Sequence, residues 1–351
     1  MDLYGAIVQI TIVLLAVNVI DACTNRLMEK NKVICCAALC AAIGVATVCE
    51  WIGVNTEVSL AVRQIAKVGE FSIAPCIGLL GAHCYGKMKV PATAGATVVL
   101  HALFQLVVAD TGMMFYIDDK GIYHRGRWYW VYIIVFGLSI LYCLWCIIQG
   151  ETQYQTQLEA TVVLSVLFVA FGIALQMRYS NLRVDYLCIA IANILLYNHR
   201  CRLSAKMDGL TMLLNRTRYE KDLHHIKMPA IIINMDVDGF KQINDTCGHA
   251  AGDRYLRQTA ADIWQVYGKY GWCYRQGGDE FCVILNKNLE NVDKLNAAFQ
   301  AAVNKHREVD PLAPDVSIGY ARYDAASGGL RQVIVDADAM MYRNKKQKES
   351  I

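Results

Sequence analysis

Residues 274 to 285 read YRQGGDEFCVIL, where two glycines and two adjacent carboxylates, Asp279 and Glu280, stand ahead of an apolar run. Neighbouring carboxylates repel each other, so such a pair either faces water or holds a cation. A third carboxylate, Asp236, closes the apolar run PAIIINMDV. If the two runs are neighbouring strands, Asp236, Asp279 and Glu280 converge at one sheet edge. Oxygen ligands of this kind suit magnesium, which usually keeps positions for phosphate. A two-metal arrangement would clamp the attacking and leaving oxygens of a phosphoryl transfer. Gly277 and Gly278 leave the backbone open to close approach by a nucleotide.

The elements that would position these groups occupy the last part of the chain, from Asp208 onward, about one domain's worth. PAIIINMDVDGF reads as a buried strand ending in acidic residues, and HAAGDRYLRQTAADIWQVY as a helix. CYRQGG and EFCVIL read as strands joined through the glycines. DVSIGYARY gives a further strand and VIVDADAMMYRNKKQ a closing helix. Such alternation describes an α/β sandwich with helices packed on one sheet.

The rest of the chain is of another kind. Over 351 residues the mean hydropathy is +0.29 with only 19% charged residues, and the apolar content is gathered before residue 200 or so. Seven stretches are candidate membrane spans: 3–22, 33–53, 60–83, 91–109, 128–148, 159–177 and 183–198. Arg63, Lys67 and Glu70 fall in the third, so six spans remain possible. Their spacing puts them on one helical face, where they neutralise one another or serve a sensory role. The first span lacks the basic front and cleavage site of a signal peptide and is expected to stay in place. Arg26, Lys30 and Lys32 in the first loop, Lys87 and Lys89 in the third, and Arg200, Arg202 and Lys206 after the last span mark the cytoplasmic side. The N-terminus is then outside, although Lys120, Arg125 and Arg127 in the fourth loop dilute the contrast.

His101, alone in an apolar run, reads as a hydrogen-bonded interior histidine rather than a ligand site. The outer loop MMFYIDDKGIYHRGRWYW binds a ligand or forms an interfacial aromatic belt. Of the fourteen cysteines, Cys35, Cys36, Cys40 and Cys49 read as small hydrophobes in apolar runs. A net charge of +3 without a basic, aromatic-interleaved run speaks against nucleic acid.

Five motifs in order then resemble the diguanylate cyclase or GGDEF domain family: DGLTMLLNR, MDVDGFKQINDTCGHAAGD, RQGGDEF, VSIGYA and ADAMMYRNKK. The resemblance implies a ferredoxin-like, palm-type α/β domain over residues 208–351, behind an all-α polytopic membrane domain over residues 1–199 and a short linker over 200–207. It implies that two GTP are condensed into cyclic di-GMP and two pyrophosphates across a homodimer, with Mg2+ or Mn2+, two ions per site. Asp236, the main-chain carbonyl of Val237, Glu280 and Asp279 would hold metal. Asp279 stands closest to general-base work, with the division of labour between the carboxylates left open. Asn244 and Asp253 would read guanine, Lys241 and Lys345 would meet phosphates, and Gly277 and Gly278 would line the substrate. The setting implied is a bacterial cytoplasmic membrane, with the chain in contact with lipid and the catalytic domain inside.

Four departures stand out. KKQKES gives Lys348 and Glu349 where the family often has a glycine and an arginine, and GKYG at 268–271 replaces the RxxD of the product-inhibition site. Met212 replaces a frequent glycine and Cys247 an aromatic. Asp208, Asn215 and Arg216 are expected to fix the domain's entry through caps and salt bridges. With a short linker, the last span is expected to pass a membrane signal to the dimer. The alternative is a catalytically silent receptor or scaffold that binds guanine nucleotide.

Overall fold

The computed structural model describes residues 3–25, 30–86, 90–119, 121–153, 160–179 and 182–350. The loop cations Arg26, Lys87, Lys89 and Lys120, used above for orientation, lie outside the described residues. The chain divides into two compact units, Met1–Ser204 and Ala205–Ile351.

The first unit contains helices α1 (Leu3–Thr24), α2 (Lys30–Val54), α3 (Leu60–Tyr85) and α4 (Ala92–Val108), then a hairpin of β1 (Phe115–Ile117) and β2 (Tyr123–Arg125). Helices α5 (Tyr129–Gln153), α6 (Ala160–Arg178) and α7 (Asp185–Ser204) follow. Among the described residues five helices, α1, α2, α3, α5 and α6, are long and apolar enough to cross a membrane. With them the protein is a multi-pass membrane protein. Helix α4 is apolar but shorter, at 17 residues, and α7 carries Asp185, Asn193, His199, Arg200 and Arg202. The expected linker over 200–207 is corrected in part: α7 runs on to Ser204, because its buried stripe through Tyr186, Ile189, Asn193 and Tyr197 continues to Leu203.

The third span keeps its charges by pairing them. Lys67, 1% exposed, donates to Glu70 at 2.6 Å. Arg63 does not join that pair; it donates to the carbonyls of Gly121 at 2.8 Å and Gly53 at 3.4 Å. A second buried carboxylate, Glu50, accepts from Arg183 at 2.9 Å, Gln176 at 3.1 Å and Tyr4 at 2.9 Å. This unit is thus richer in buried charge than its sequence suggested. His101 is buried, with its Nε2 at 3.1 Å from Nε2 of Gln105, as an interior hydrogen-bonded histidine should be.

The second unit holds β3 (Leu214–Asn215), α8 (Arg216–Leu223), β4 (Ala230–Val237), α9 (Phe240–Cys247), α10 (His249–Tyr267), β5 (Gly271–Gly277) and β6 (Glu280–Leu285). It closes with α11 (Val292–Val309), β7 (Val316–Tyr323) and α12 (Leu330–Glu349). The five strands lie in the order β3-β5-β6-β4-β7. All neighbours are antiparallel except β3 and β5. The four long strands give the ferredoxin-like, palm-type order, with β4 central.

Both faces of this sheet are covered, which explains why β4 reads as a continuous apolar run rather than an alternating one. Ile231, Ile233 and Met235 pack with Leu256, Ile263 and Phe299 from α10 and α11. Ile232, Cys282 and Ile284 pack on the other side with Tyr219, Val333 and Ala337 from α8 and α12. Each fully buried isoleucine contributes about 1.5–3 kcal/mol by leaving water. The sheet is therefore a rigid base for whatever its strand ends carry.

Candidate functional site

The register sets the site. Asp236, next to last in β4, is the cross-strand partner of Glu280, first in β6. Glu280 also faces Gly277 of β5 across a two-residue turn made by Gly278 and Asp279. Gly277 and Gly278 have φ of 145° and 55°, values that L side chains rarely adopt, so the turn requires both glycines. The turn is tied to the end of β4 by the Val237 amide, which donates to the Asp279 carbonyl at 3.2 Å. From the other side the Arg275 guanidinium donates to the Gly278 carbonyl at 2.7 and 3.1 Å and pairs with Asp208 at 2.9 Å.

The three expected carboxylates are thus brought to one sheet edge, with Asp338 of α12, which the sequence reading had not singled out, as a fourth negative neighbour. Its only signal was a place inside the ADAMMYRNKK motif. Burial, the Lys345 amine and the charges of Asp279 and Asp338 all act on Asp236, and the net effect is an upward shift. Glu280 is also shifted up, by burial and then by Asp236, Asp279 and Asp338, with Arg216 opposing.

Lys345, expected at a phosphate, donates to Asp236 Oδ1 and so stands at the same edge. Among the described residues no three Asp, Glu, His or Cys side chains are gathered in metal-holding geometry. The donor set at this edge, carboxylates plus the Val237 carbonyl, is nonetheless all oxygen, the chemistry magnesium prefers.

Asn244 on α9 packs against Gly252 of α10, the residue before Asp253, across the junction of the two helices. The space where a side chain of Gly252 would lie is taken by the Asn244 amide oxygen and, at 3.1 Å, by the Phe240 ring. Asp253 has the Arg257 guanidinium 3.8 Å away. Lys241 is exposed in the first turn of α9.

Lys348 is drawn elsewhere. It lies 3.0 Å from Asp315 and 3.3 Å from Asp238, and it donates to the Val316 carbonyl at 2.9 Å. The entry residues are structural, as expected: Asp208 accepts from Thr211, Asn215 caps α8 by accepting from the Arg218 amide, and Arg216 pairs with Glu220.

A palm-type sheet ending in an acidic, glycine-bounded turn beside a helix junction is the arrangement of the second unit. Residues 205–350 match the family described as diguanylate cyclase, GGDEF domain, and the chain carries a GGDEF domain of that family. The diguanylate cyclase DosC of Escherichia coli K12 is 29% identical over 164 residues, 43% of this chain and 35% of that protein. The chain thus spans about a third of that relative's length. An uncharacterized membrane protein of Staphylococcus aureus USA300 is 27% identical over 255 residues, 62% of this chain and 71% of that protein. Among solved structures, the GGDEF domain of DgcB from Caulobacter crescentus in complex with c-di-GMP is 29% identical with a TM-score of 0.37, covering 41% of this chain and 89% of that one.

Proposed function

We propose that the protein is a membrane-bound diguanylate cyclase that condenses two GTP into cyclic di-GMP and two pyrophosphates. The observation that carries this reading is the Asp236–Glu280 register with Asp279 on the adjoining turn. Each domain binds one GTP, and two domains face each other in a homodimer so that each 3′-hydroxyl attacks the other α-phosphorus in line. Asn244 and Asp253 read the guanine edge, an amide and a carboxylate meeting its acceptors and donors. Gly277 and Gly278 keep the turn's backbone clear for substrate.

Asp236, the Val237 carbonyl, Glu280 and Asp279 would hold Mg2+ or Mn2+, two ions per site. When bound, the metal supplies positive charge at the transferring phosphoryl group and its leaving oxygen. Lys345, which pairs with Asp236, would meet a phosphate on release from that pair, as would Lys241. Asp279 is assigned the proton-accepting role on the 3′-hydroxyl. With GKYG at 268–271, no product inhibition through that segment is expected.

The membrane is the bacterial cytoplasmic membrane, with the N-terminus outside and the GGDEF domain inside, as Lys30, Lys32, Arg200, Arg202 and Lys206 support. A signal received by the membrane unit governs output. If exchanging that unit for a neutral dimerising helix left output under the same external control, this part would be wrong.

The Lys345–Asp236 pair favours a second reading, a receptor that binds guanine nucleotide without turnover. Full-length protein supplied with GTP and magnesium, followed by chromatography with mass detection beside an Asp279→Ala variant, separates the two. Cyclic di-GMP from the wild type alone supports the cyclase; bound, unconsumed GTP supports the receptor.

A further inference from the structure

Two pairs of helices in the membrane unit touch through glycine. A Cβ on Gly78 of α3 would lie 2.5 Å from the Ser139 backbone of α5, and one on Gly81 would lie 2.9 Å from Cys143 Sγ. A Cβ on Gly172 of α6 would lie 2.8 Å from the Cys188 Cβ of α7. These four helices, together with α2, nevertheless wall a cavity of about 210 Å³. Folded interiors leave few voids larger than a water molecule, because the lining of a void loses its dispersion partners. This one exceeds the roughly 150 Å³ that takes up benzene in an apolar core. General looseness does not account for it, since the helices around it are in close contact pairwise.

None of the lining residues is charged. The hydrogen-bonding side chains of the wall are engaged with protein partners: Tyr85 donates to Asn193 Oδ1 at 2.6 Å, the Asn193 amide to Cys40 Sγ at 3.4 Å, and the Ser165 hydroxyl to the Thr161 carbonyl at 2.8 Å. The surface left for an occupant is hydrocarbon, from side chains such as Ile43, Ile77, Val166 and Ile189. A buried water typically makes about three hydrogen bonds, which such a wall does not supply. Ala170 and Ile173 of α6 belong to the wall and are also exposed, which gives an apolar occupant a way in from the bilayer.

We propose that this cavity is a binding site for a compact, neutral hydrocarbon taken from the bilayer, of the size of a substituted benzene. The guest gains the dispersion contacts that the empty wall lacks, and a hydroxyl or a charge on it would go unpaired. Ile189, Ala192 and Leu196 put α7 on the wall, and α7 runs to Ser204, next in the chain to the first residue of the second unit. A guest that sets the packing of α7 is therefore suited to be the signal of the membrane unit; that role rests on the function proposed above, whereas the binding does not.

The test photolyses full-length protein in lipid nanodiscs with a trifluoromethyl-phenyl-diazirine, a compact apolar ring, and maps the labelled residues by mass spectrometry with and without excess p-xylene. The expected result is label on the buried wall residues Ile43 and Ala192 that p-xylene lowers severalfold, while label on the exposed Leu141 and Leu167 is unchanged. p-Cresol, compared at equal concentration in the lipid, should compete about tenfold less well, because its hydroxyl finds no partner. Ala192→Phe, which fills the cavity, should remove the label at Ile43 and keep that at Leu141 and Leu167. The proposal is overturned if Ile43 and Ala192 stay unlabelled in the wild type, as when a lipid tail holds the cavity, if p-xylene leaves their label in place, or if p-cresol competes equally. The wild-type competition does not depend on how the variant folds. The labelling needs no cyclase activity, so failure of the function proposed above would leave its outcome intact.

Discussion

Carboxylates are treated in opposite ways in the two units. In the membrane unit each buried acid that bears a named ion pair has its cation within 3 Å, Glu50 with Arg183 at 2.9 Å and Glu70 with Lys67 at 2.6 Å. At the edge of the GGDEF sheet, Asp236, Asp279, Glu280 and Asp338 act on one another, and a single amine, Lys345, bonds to one of them. Paired acids inside an apolar bundle hold helices in place, since losing either partner leaves an uncompensated charge. An acidic cluster short of cations is held at a cost and retains affinity for positive charge. The first arrangement is a structural device, and the second is where we propose the site.

The largest expected effect comes from the second arrangement. Asp236→Asn should lower cyclic di-GMP formation at least about a hundredfold, the scale on which one preorganised charge-stabilising group acts. The folded domain should persist, and Glu280→Gln should raise thermal stability at neutral pH in metal-free buffer. The folded-state pKa values of both groups lie above the unfolded ones, so charging them opposes folding, and the domain gains stability as pH falls from neutral into the carboxylate range. Loss of stability in Glu280→Gln would show that the edge is paired after all.

The first arrangement predicts a purely structural loss. Arg183→Gln strands Glu50 and should destabilise the membrane unit by about 3–5 kcal/mol, read as a lowered unfolding temperature of the full chain in detergent. The exposed Arg216–Glu220 pair, at 71 and 57% exposure, gives the contrast: Arg216→Gln should change stability by no more than about 1 kcal/mol. Equal losses would erase the distinction between buried and exposed pairing.

Much of both arrangements was legible in the chain, for local reasons. Apolar runs of spanning length located the helices, and glycines ahead of two carboxylates located the hairpin, because turn geometry depends on adjacent residues. The spacing of Lys67 and Glu70 foretold their pair. What could not be read was set by distant partners. Arg183 and Glu50 are 133 positions apart, and Lys345 and Asp236 109 apart; only the packing of whole helices on one another or on a sheet brings them together. Arg63 shows the limit of the local rule: it shares a face with Lys67, yet it is taken by the carbonyls of Gly53 and Gly121. The β1–β2 hairpin between α4 and α5 was not legible because its strands are three residues each.

A smaller effect should appear in acid. Burial works upward on Asp208, but the Thr211 hydroxyl and amide and the Arg275 guanidinium outweigh it and hold the carboxyl below its usual range. The unfolded chain therefore binds this proton more readily. The stabilisation is complete above the ordinary aspartate value of about 3.9 and is lost as pH falls through the lowered folded value. Asp208→Asn should flatten the acid limb of the stability profile below about pH 4, the opposite slope to that expected of Asp236 and Glu280. An unchanged acid limb would mean that the Arg275 clamp on the turn does not depend on charge.

The smallest effect concerns the loop that carries Asp208. Met212 has φ of 60°, a left-handed conformation, and its amide donates to the Asp208 carbonyl at 2.9 Å, so the turn cannot relax without giving up that bond. Its side chain is 48% exposed and little packing is at stake. A side chain in this region costs about 1 kcal/mol or somewhat more, while glycine adopts it freely but loses more chain entropy on folding. The balance favours Met212→Gly by roughly 0.5 kcal/mol, seen as a small rise in the unfolding temperature of the GGDEF unit, with cyclic di-GMP formation unchanged. A fall in stability would place the missing contribution in the methionine's contacts. A change in activity at constant stability would show that this loop, through Asp208 and Arg275, sets the position of the Gly278–Asp279 turn.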